Sequence, residues 1–507
     1  MPKAGTRASA WDTIEVTDRE ASAALDRAER EIYAHILSRN PEHDFEPTLD
    51  RMREACDLLG NPQKAFRVIH LTGTNGKTST ARMAESLVRS LGLRTGLFTS
   101  PHLTSVRERI QIDGEPISKQ AFVDLWADVS PILALVDERS AERGGPRMSF
   151  FEVLTVLAFA AFADAPIDVC VLEVGMGGSW DATNVADADV AVIGPIALDH
   201  EMWLGHSLEE IAAEKSGIIK PGSAVVVAIQ AESAMSALEP AFPQARVVWH
   251  MGIDGGGIEG SGADIEVVER HAGVGGQLVT LRTPGATYEG VFIPLLGAHQ
   301  ARNAAMALAA VEALMADGGD EGSLPPGVVE QGFARATSPG RLETVRRSPT
   351  IVVDAAHNPH GIDAVAEAIN ESFAFSKLVG VVCVLDDKDA DGILAGLEPF
   401  LDEVVITKST SPRAMDVTEL GRIATTHFGE DRVTIQADLP SALDQAVQIA
   451  EADDDMTGGV LVIGSISLVA DVRIMMGADR KLGERGHEMP PRTERRHEMP
   501  PRTERRQ

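Results

Sequence analysis

The chain is short of cations, of cysteine and of long apolar runs. Among 507 residues there are 46 Lys+Arg against 76 Asp+Glu, a formal charge of −30, and only ten of the cations are lysines. That deficit argues against a general binder of nucleic acid or anionic membrane, which needs a basic face. It does not exclude an anionic small molecule, because the potential inside a pocket is local, and it gives weight to any lysine inside a motif. The three cysteines, Cys56, Cys170 and Cys383, are far apart and show no CxxC spacing. They read as buried free thiols of a reducing cytosol. The longest apolar run, 153–163, is too short to span a bilayer. The first residues, MPKAGTRASAWDTIEV, lack the apolar stretch of a signal peptide. The expectation is a soluble, cytoplasmic protein with no nucleic-acid or membrane partner. A hydrophobic content of 44% is ordinary for a globular chain, and the length exceeds one usual domain.

Residues 1–16 read as a loose leader, followed by a helical stripe through Leu25, Ile32, Ile36 and Leu37. An apolar strand at 66–71 runs into a Gly/Thr-rich turn and a second helical run at 79–91. Strand-like segments at 167–173, 189–196, 224–229 and 246–249 alternate with helical ones, which favours an α/β fold with a largely parallel sheet. Between 251 and 293 glycine-rich turns separate short alternating segments, read as antiparallel hairpins, and an Ala-rich helix follows at 303–315. The α/β pattern restarts near 338, with strands at 351–353, 378–385, 403–406, 432–435 and 459–463. The expected domains are 1–44 (leader and helix), 45–337, 338–478, and a disordered tail at 479–507. That tail carries HEMPPRTERR twice in tandem.

The strongest chemical signal is the run Thr72-Gly73-Thr74-Asn75-Gly76-Lys77-Thr78 between a strand and a helix. Glycines let the backbone wrap phosphates, the helix N-terminus points amides at them, and Lys77 adds a mobile positive charge. The strict GxxxxGK[ST] spacing is not met, so the loop is a shortened variant. In VCVLEVGMGG an apolar strand delivers Glu173 at its carboxyl end, where a carboxylate can hold Mg²⁺, although such a residue alone is more often a solvated loop side chain. His200 follows a third strand, a lone histidine that becomes a candidate metal ligand only beside the other two motifs. Lys215, in EKSGIIK, reads by itself as a surface charge at a helix end.

Together these segments resemble the Mur ligase superfamily, and within it the folylpolyglutamate synthases and bifunctional dihydrofolate/folylpolyglutamate synthases. The resemblance runs from about 45 to 475. It rests on ten motifs in order, among them HLTGTNGKTS (70–79), FTSPHLTSVRERIQIDGEPIS (98–118), LEVGMGGSWDATN (172–184), LDHEMWLG (198–205), EKSGIIK (214–220), SPGRLE (338–343), DAAHNP (354–359) and LDDKD (385–389). It implies a P-loop, Mur-ligase-like central domain with a mostly parallel sheet, plus a smaller Rossmann-like C-terminal α/β domain.

The resemblance also implies roles. ATP would be held by Gly73, Thr74, Asn75, Gly76, Lys77, Thr78 and Ser79, with Asn303, Arg341 and Asp354. Mg²⁺, as two ions, would be held by Ser100, Glu173 and His200. Lys215 matches a lysine that the family carbamylates, turning a cation into a carboxylate-like anion. Lys77, Lys215 and His357 are the implied catalytic residues. Substrate contacts map to Pro101 and His102 in the loop 101–116, to Phe150, Phe151 and Thr155, and to Ser409 and Ser465 on the glutamate side. The anionic substrates would rest on Lys77, Arg341, Mg²⁺ and Arg107 or Arg109. The implied reaction adds L-glutamate to dihydropteroate or folates through an acyl phosphate, in a monomer whose two domains close on the site. Two departures stand out: Ser179 where the family has a basic residue, and Asp386-Asp387 where it has a glycine before DKD. A cell-wall ligase of the superfamily would need a further domain before the loop. A nucleotide-gated regulator would release phosphate without regard to pterin or glutamate.

Overall fold

The computed structural model describes residues 10–40, 47–255, 263–316, 322–452 and 457–478. Among these, eight strands form the first sheet: β1 (Arg67–Thr72), β2 (Thr95–Phe98), β3 (Ile110–Ile112), β4 (Glu115–Pro116), β5 (Val169–Glu173), β6 (Val190–Ile193), β7 (Ala224–Val227) and β8 (Val247–His250). Their order is β4-β3-β2-β5-β1-β6-β7-β8. All neighbours are parallel except the β2-β3 and β3-β4 pairs.

The alternation of side chains along a strand explains why both faces are covered. On β1, Ile69 and Leu71 enter one apolar cluster with helices Lys77–Ser90 and Ala298–Met315, while Val68 enters the opposite one. On β5, Val169 and Val171 face the first cluster, and Cys170 and Leu172 the second. The run at 153–163 lies in helix Phe150–Asp164, almost wholly buried in that second cluster. Ser149 and Glu152 close its start with a capping box, and Glu152 also pairs with the buried Arg51 at 3.1 Å.

The antiparallel texture after 251 is a three-stranded sheet of β9 (Glu266–Gly273), β10 (Gly276–Arg282) and β11 (Thr287–Ile293), with β10 in the middle. The second unit holds β12 (Glu343–Arg347), β13 (Thr350–Val353), β14 (Leu378–Val382), β15 (Glu403–Ile406), β16 (Val433–Ile435) and β17 (Gly459–Ile463). They are ordered β12-β13-β17-β14-β15-β16, and only β12 runs antiparallel to its neighbour.

Helix Ala10–Leu37 begins inside the segment read as a leader, so residues 10–16 are helical rather than loose. The stripe that revealed it starts only at Leu25, which is partly buried, and continues through the buried Ile32 and Ile36. The duplicated tail lies outside the described residues. No helix among the described residues is long and apolar enough to cross a membrane.

Candidate active site

In an open parallel sheet, ligands sit beyond the carboxyl ends of the strands. Here β5, β1 and β6 are neighbours, with Leu71 opposite Glu173 and Thr72 opposite Ile193. Topology alone therefore gathers the loop after β1, the Glu173 carboxylate and the segment leading to Asp199 and His200. In the second unit β13, β17, β14 and β15 are also adjacent, and their ends deliver Asp354 to His357, Ser465, Lys388 and Arg413. The two sets face each other across a cleft of about 760 Å³.

Two glycines of the phosphate loop are obligatory for different reasons. Gly73 (φ 148°) has the Gly194 backbone 2.9 Å from where a Cβ would stand. Gly76 (φ 81°) caps helix Lys77–Ser90, and a Cβ there would meet Asn303 Oδ1 at 2.5 Å. The loop is thus fitted to β6 on one side and to the helix carrying Asn303 on the other. Thr74 bonds across to Ala197 O at 3.0 Å, and Ser79 reaches Ser338 at 2.9 Å.

Lys77 Nζ donates to Gly73 O (2.9 Å) and Thr74 O (3.2 Å), and Lys215 Nζ donates to the same Gly73 O at 3.1 Å. Lys215 is 3% exposed, not a surface charge. Burial, then the nearby Lys77 ammonium, push its pKa down to about 7. Burial also lowers Lys77, opposed by Glu173 and Asp199. Glu173 is 1% exposed; Thr78 Oγ1 donates to its Oε1 at 2.8 Å and the Ser100 amide to its Oε2 at 3.2 Å. Burial raises its pKa, with Lys77 pulling the other way.

This donor set suits a hard cation. Among the described residues no three His, Cys, Asp or Glu side chains gather to enclose a metal. One buried carboxylate with a hydroxyl beside it, open to a phosphate site, matches Mg²⁺, which takes one or two carboxylates and fills its shell with phosphate oxygens and water. His200 lines the same cleft in a left-handed conformation (φ 52°), its side chain 37% exposed.

Across the cleft, Asp354 is fixed by the amides of Leu342 and Ala356, both at 2.8 Å. Arg341 lies near it and lines the cleft. His357 bonds Ala355 O through Nδ1 at 2.8 Å, so the proton sits there, and its Nε2 lies 3.8 Å from Asp199 Oδ2. Asp199 also accepts from Asn358 (3.3 Å) and from Lys388 Nζ (2.6 Å), the last pair being only 8% and 7% exposed. Its carboxyl is held far below the usual range, since His357, His200 and Lys388 outweigh burial.

Residues 71–311 match the Mur ligase middle domain and 340–466 the Mur ligase glutamate ligase domain. The dihydrofolate synthase/folylpolyglutamate synthase of Mycobacterium tuberculosis is 45% identical over 464 residues, covering 88% of this chain and 93% of the relative. The chain belongs to the folylpolyglutamate synthase family of Mur ligases. The Escherichia coli dihydrofolate synthase/folylpolyglutamate synthase is 31% identical over 436 residues, covering 86% of this chain and 93% of its own. The M. tuberculosis folylpolyglutamate synthase complexed with ADP and AMPPCP superposes with a TM-score of 0.82 at 44% identity, over 89% of this chain and 99% of that one. E. coli FolC in complex with DHPP and ADP gives 0.71 at 29% identity, over 86% and 94%.

In this Mur ligase Pro101, Phe151 and Ser465 line the cleft, as do Ser149 and Asp181. His102 stands behind that wall: Arg109 Nε donates to its Nδ1 at 2.9 Å, and Tyr33 of the N-terminal helix lies 3.1 Å from Nε2. Arg109 also stacks over Phe150 at 5.1 Å, while Arg107 pairs with Glu29 at 2.8 Å. Both loop arginines are engaged within the protein rather than lining the cleft. Thr155 is fully buried, its hydroxyl turned back to Phe151 O at 2.9 Å. Ser409 supports Ser467 from behind at 2.8 Å, and Ser467 bonds Ser465 at 2.7 Å.

Ser179 packs against Gly217, with its hydroxyl donating to Glu214 O at 3.0 Å. Sequence reasoning passed over Asp199, Asn358, Lys388 and Arg413. Lys388 had a signal, being one of so few lysines and inside LDDKD. Asp199 and Asn358 also lay inside quoted motifs, LDHEMWLG and DAAHNP, and take their partners from the opposite domain, whereas Arg413 pairs within its own domain with Asp387.

Proposed function

We propose that this cleft joins L-glutamate to dihydropteroate and to (tetrahydro)folyl-glutamates, using ATP and an acyl-phosphate intermediate. The carrying observation is the convergence on one cleft of a lysine-bearing phosphate loop, a buried strand-end carboxylate and a second wall of strand ends from the other domain. ATP-dependent glutamate ligation in folate metabolism is the activity of the family, and both its domains are present.

A carboxylate is a poor electrophile, so it must first be activated. A carboxylate oxygen of the pterin substrate attacks the γ-phosphorus, the bond to ADP breaks, and an acyl phosphate forms. The unprotonated α-amine of glutamate then attacks the acyl carbon, inorganic phosphate leaves with the C–O electrons, and the amine gives up a proton. Lys77 offsets charge on the phosphoryl group in flight, and the amides of 73–79 orient it. Asn303, Arg341 and Asp354 position the nucleotide, with His357 beside it. Pro101 and Phe151 form the pterin-side wall, backed by His102 and Phe150, with Thr155 one helical turn along. Ser465, braced through Ser467 by Ser409, serves the glutamate side.

Glu173, Thr78, Ser100 and His200 would hold Mg²⁺, which when bound neutralises phosphate charge. Lys215, with a pKa near 7, keeps a good fraction of free amine at neutral pH, the form that adds CO₂. The resulting carbamate would serve a second ion. Both walls come from one chain, so we take the monomer as the working unit. The proposed setting is the cytoplasm, in keeping with three buried free thiols.

The test gives purified protein ATP, Mg²⁺ and glutamate with dihydropteroate or tetrahydrofolate. Each acceptor should gain one glutamyl unit by mass. Phosphate release that is indifferent to both acceptors, with no mass change, would sink the ligase reading.

A further inference from the structure

The cations lining the C-terminal wall are not equally available. Lys388 is committed to Asp199 in a pair nearly closed to water. Arg413 also lines the cleft, beside Ser411, Ser465 and Ser467, but it is 39% exposed. Its side chain pairs with Asp387, at 2.5 Å and 34% exposed, on the loop that carries Lys388. The two segments are tied by the Asp386 amide to Arg413 O (2.9 Å) and by the bridge between Leu385 and Ala414. A guanidinium has five N–H donors, so one carboxylate does not saturate it. A half-exposed pair is worth little, so a second carboxylate can displace the first.

We infer that Arg413 takes a carboxylate of the incoming amino acid and that Asp387 is a built-in competitor for that guanidinium, setting the affinity for glutamate. The inference rests on the ligase reading and concerns one of its substrates. The hydroxyls of Ser411, Ser465 and Ser467 supply the neutral polar surface that an amino acid's other groups require. Asp387 keeps Arg413 extended along the wall when no amino acid is present, at the cost of a higher glutamate KM. This assigns a consequence to the acidic pair before Lys388: Asp387, which also lies 3.9 Å from Lys388 Nζ, weakens glutamate binding through Arg413.

The experiment titrates glutamate against the full-length enzyme at saturating ATP and folate. Asp387→Asn keeps an oxygen for Arg413 Nη2 but removes the charge, and should lower the glutamate KM about three- to fivefold, the scale of a half-exposed pair. The KM values for ATP and folate and kcat should stay within about twofold. Arg413→Ala should raise the glutamate KM at least about tenfold, the loss of a charge-assisted contact. In the Arg413→Ala background, Asp387→Asn should change nothing further.

An unchanged glutamate KM in Asp387→Asn overturns the inference. So does a fall that persists without Arg413, which would make Asp387 a general electrostatic influence instead of a competitor. A wild-type enzyme that makes no glutamylated product overturns the ligase reading beneath it, an outcome distinct from either.

Discussion

The two walls of the cleft are made by the same device, loops at the carboxyl ends of parallel strands, yet Glu173 and Lys215 on one differ in access to water from His357 and Arg413 on the other. On the central-domain wall Glu173 and Lys215 are 1% and 3% exposed. On the C-terminal wall the side chains of His357 and Arg413 are 33% and 39% exposed. The first wall works by desolvation: burial moves Lys215 down and Glu173 up, and holds Lys77 among carbonyls that a phosphate can outbid. On the second wall Lys388, His357 and Asn358 are engaged across the cleft, and Arg413 is paired at its surface with Asp387. Asp199 belongs to the first wall by chain and to the second by bonding, since Lys388, Asn358 and His357 all reach it from the other domain.

The sharpest way to break this comparison is at Lys77. Lys77→Ala removes the one cation of the loop 73–79, the group proposed to offset phosphate charge. The kcat should fall about a thousandfold or more, the scale seen for cations that stabilise phosphoryl transfer. The thermal midpoint should stay within about two degrees, because Lys77 bonds only to its own loop. A large drop in midpoint with modest loss of kcat would make Lys77 a structural strut.

Closure is tested at Lys388. Lys388→Met leaves Asp199 in a dry interface with Asn358, His357 and the neighbouring His200, a loss of one partner of a buried pair. We expect kcat to fall about a hundredfold and small-angle scattering to show a larger radius with nucleotide bound. Combining it with Asp199→Asn should recover part of the activity, since no buried charge is then stranded. If the single variant is as active and as closed as wild type, the pair does not hold the walls together.

Much of this was legible beforehand because it depends on local order. A strand followed by a glycine-rich turn and a helix fixes where Lys77 goes, and the end of an apolar strand fixes Glu173. What escaped depends on which face of an element meets which neighbour. Phe150 and Phe151 are adjacent in sequence, but a helix separates them by about 100°. Phe151 lines the cleft and Phe150 packs under Arg109. Helix Phe150–Asp164 is buried almost all round, so no periodicity could show that Thr155 faces its own backbone instead of substrate. Asp199 was one residue from a motif histidine, and its importance appears only when Lys388 arrives from nearly two hundred residues away.

The smallest effect lies away from both walls and sharpens the contrast by showing desolvation with no chemistry attached. Glu312, on helix Ala298–Met315, is fully buried and accepts from Tyr288 at 2.6 Å, while its Oε2 has no hydrogen-bond partner. Burial pushes its pKa up to about 7, from an ordinary 4.5. The folded state therefore holds a proton that the unfolded state has lost between about pH 4.5 and 7, so stability falls as pH rises through that window and is flat above it. Glu312→Gln keeps the acceptor for Tyr288 and removes the charge, leaving only an unpaired amide, which is cheaper to bury. It should stabilise the protein by roughly 1–2 kcal/mol at pH 8 and by almost nothing at pH 5, read as a midpoint gain of a few degrees at the higher pH, with kcat unchanged. A gain of equal size at both pH values would mean that Glu312 titrates no higher in the folded than in the unfolded state, and that the central domain's interior does not set its charge state as its cleft wall does.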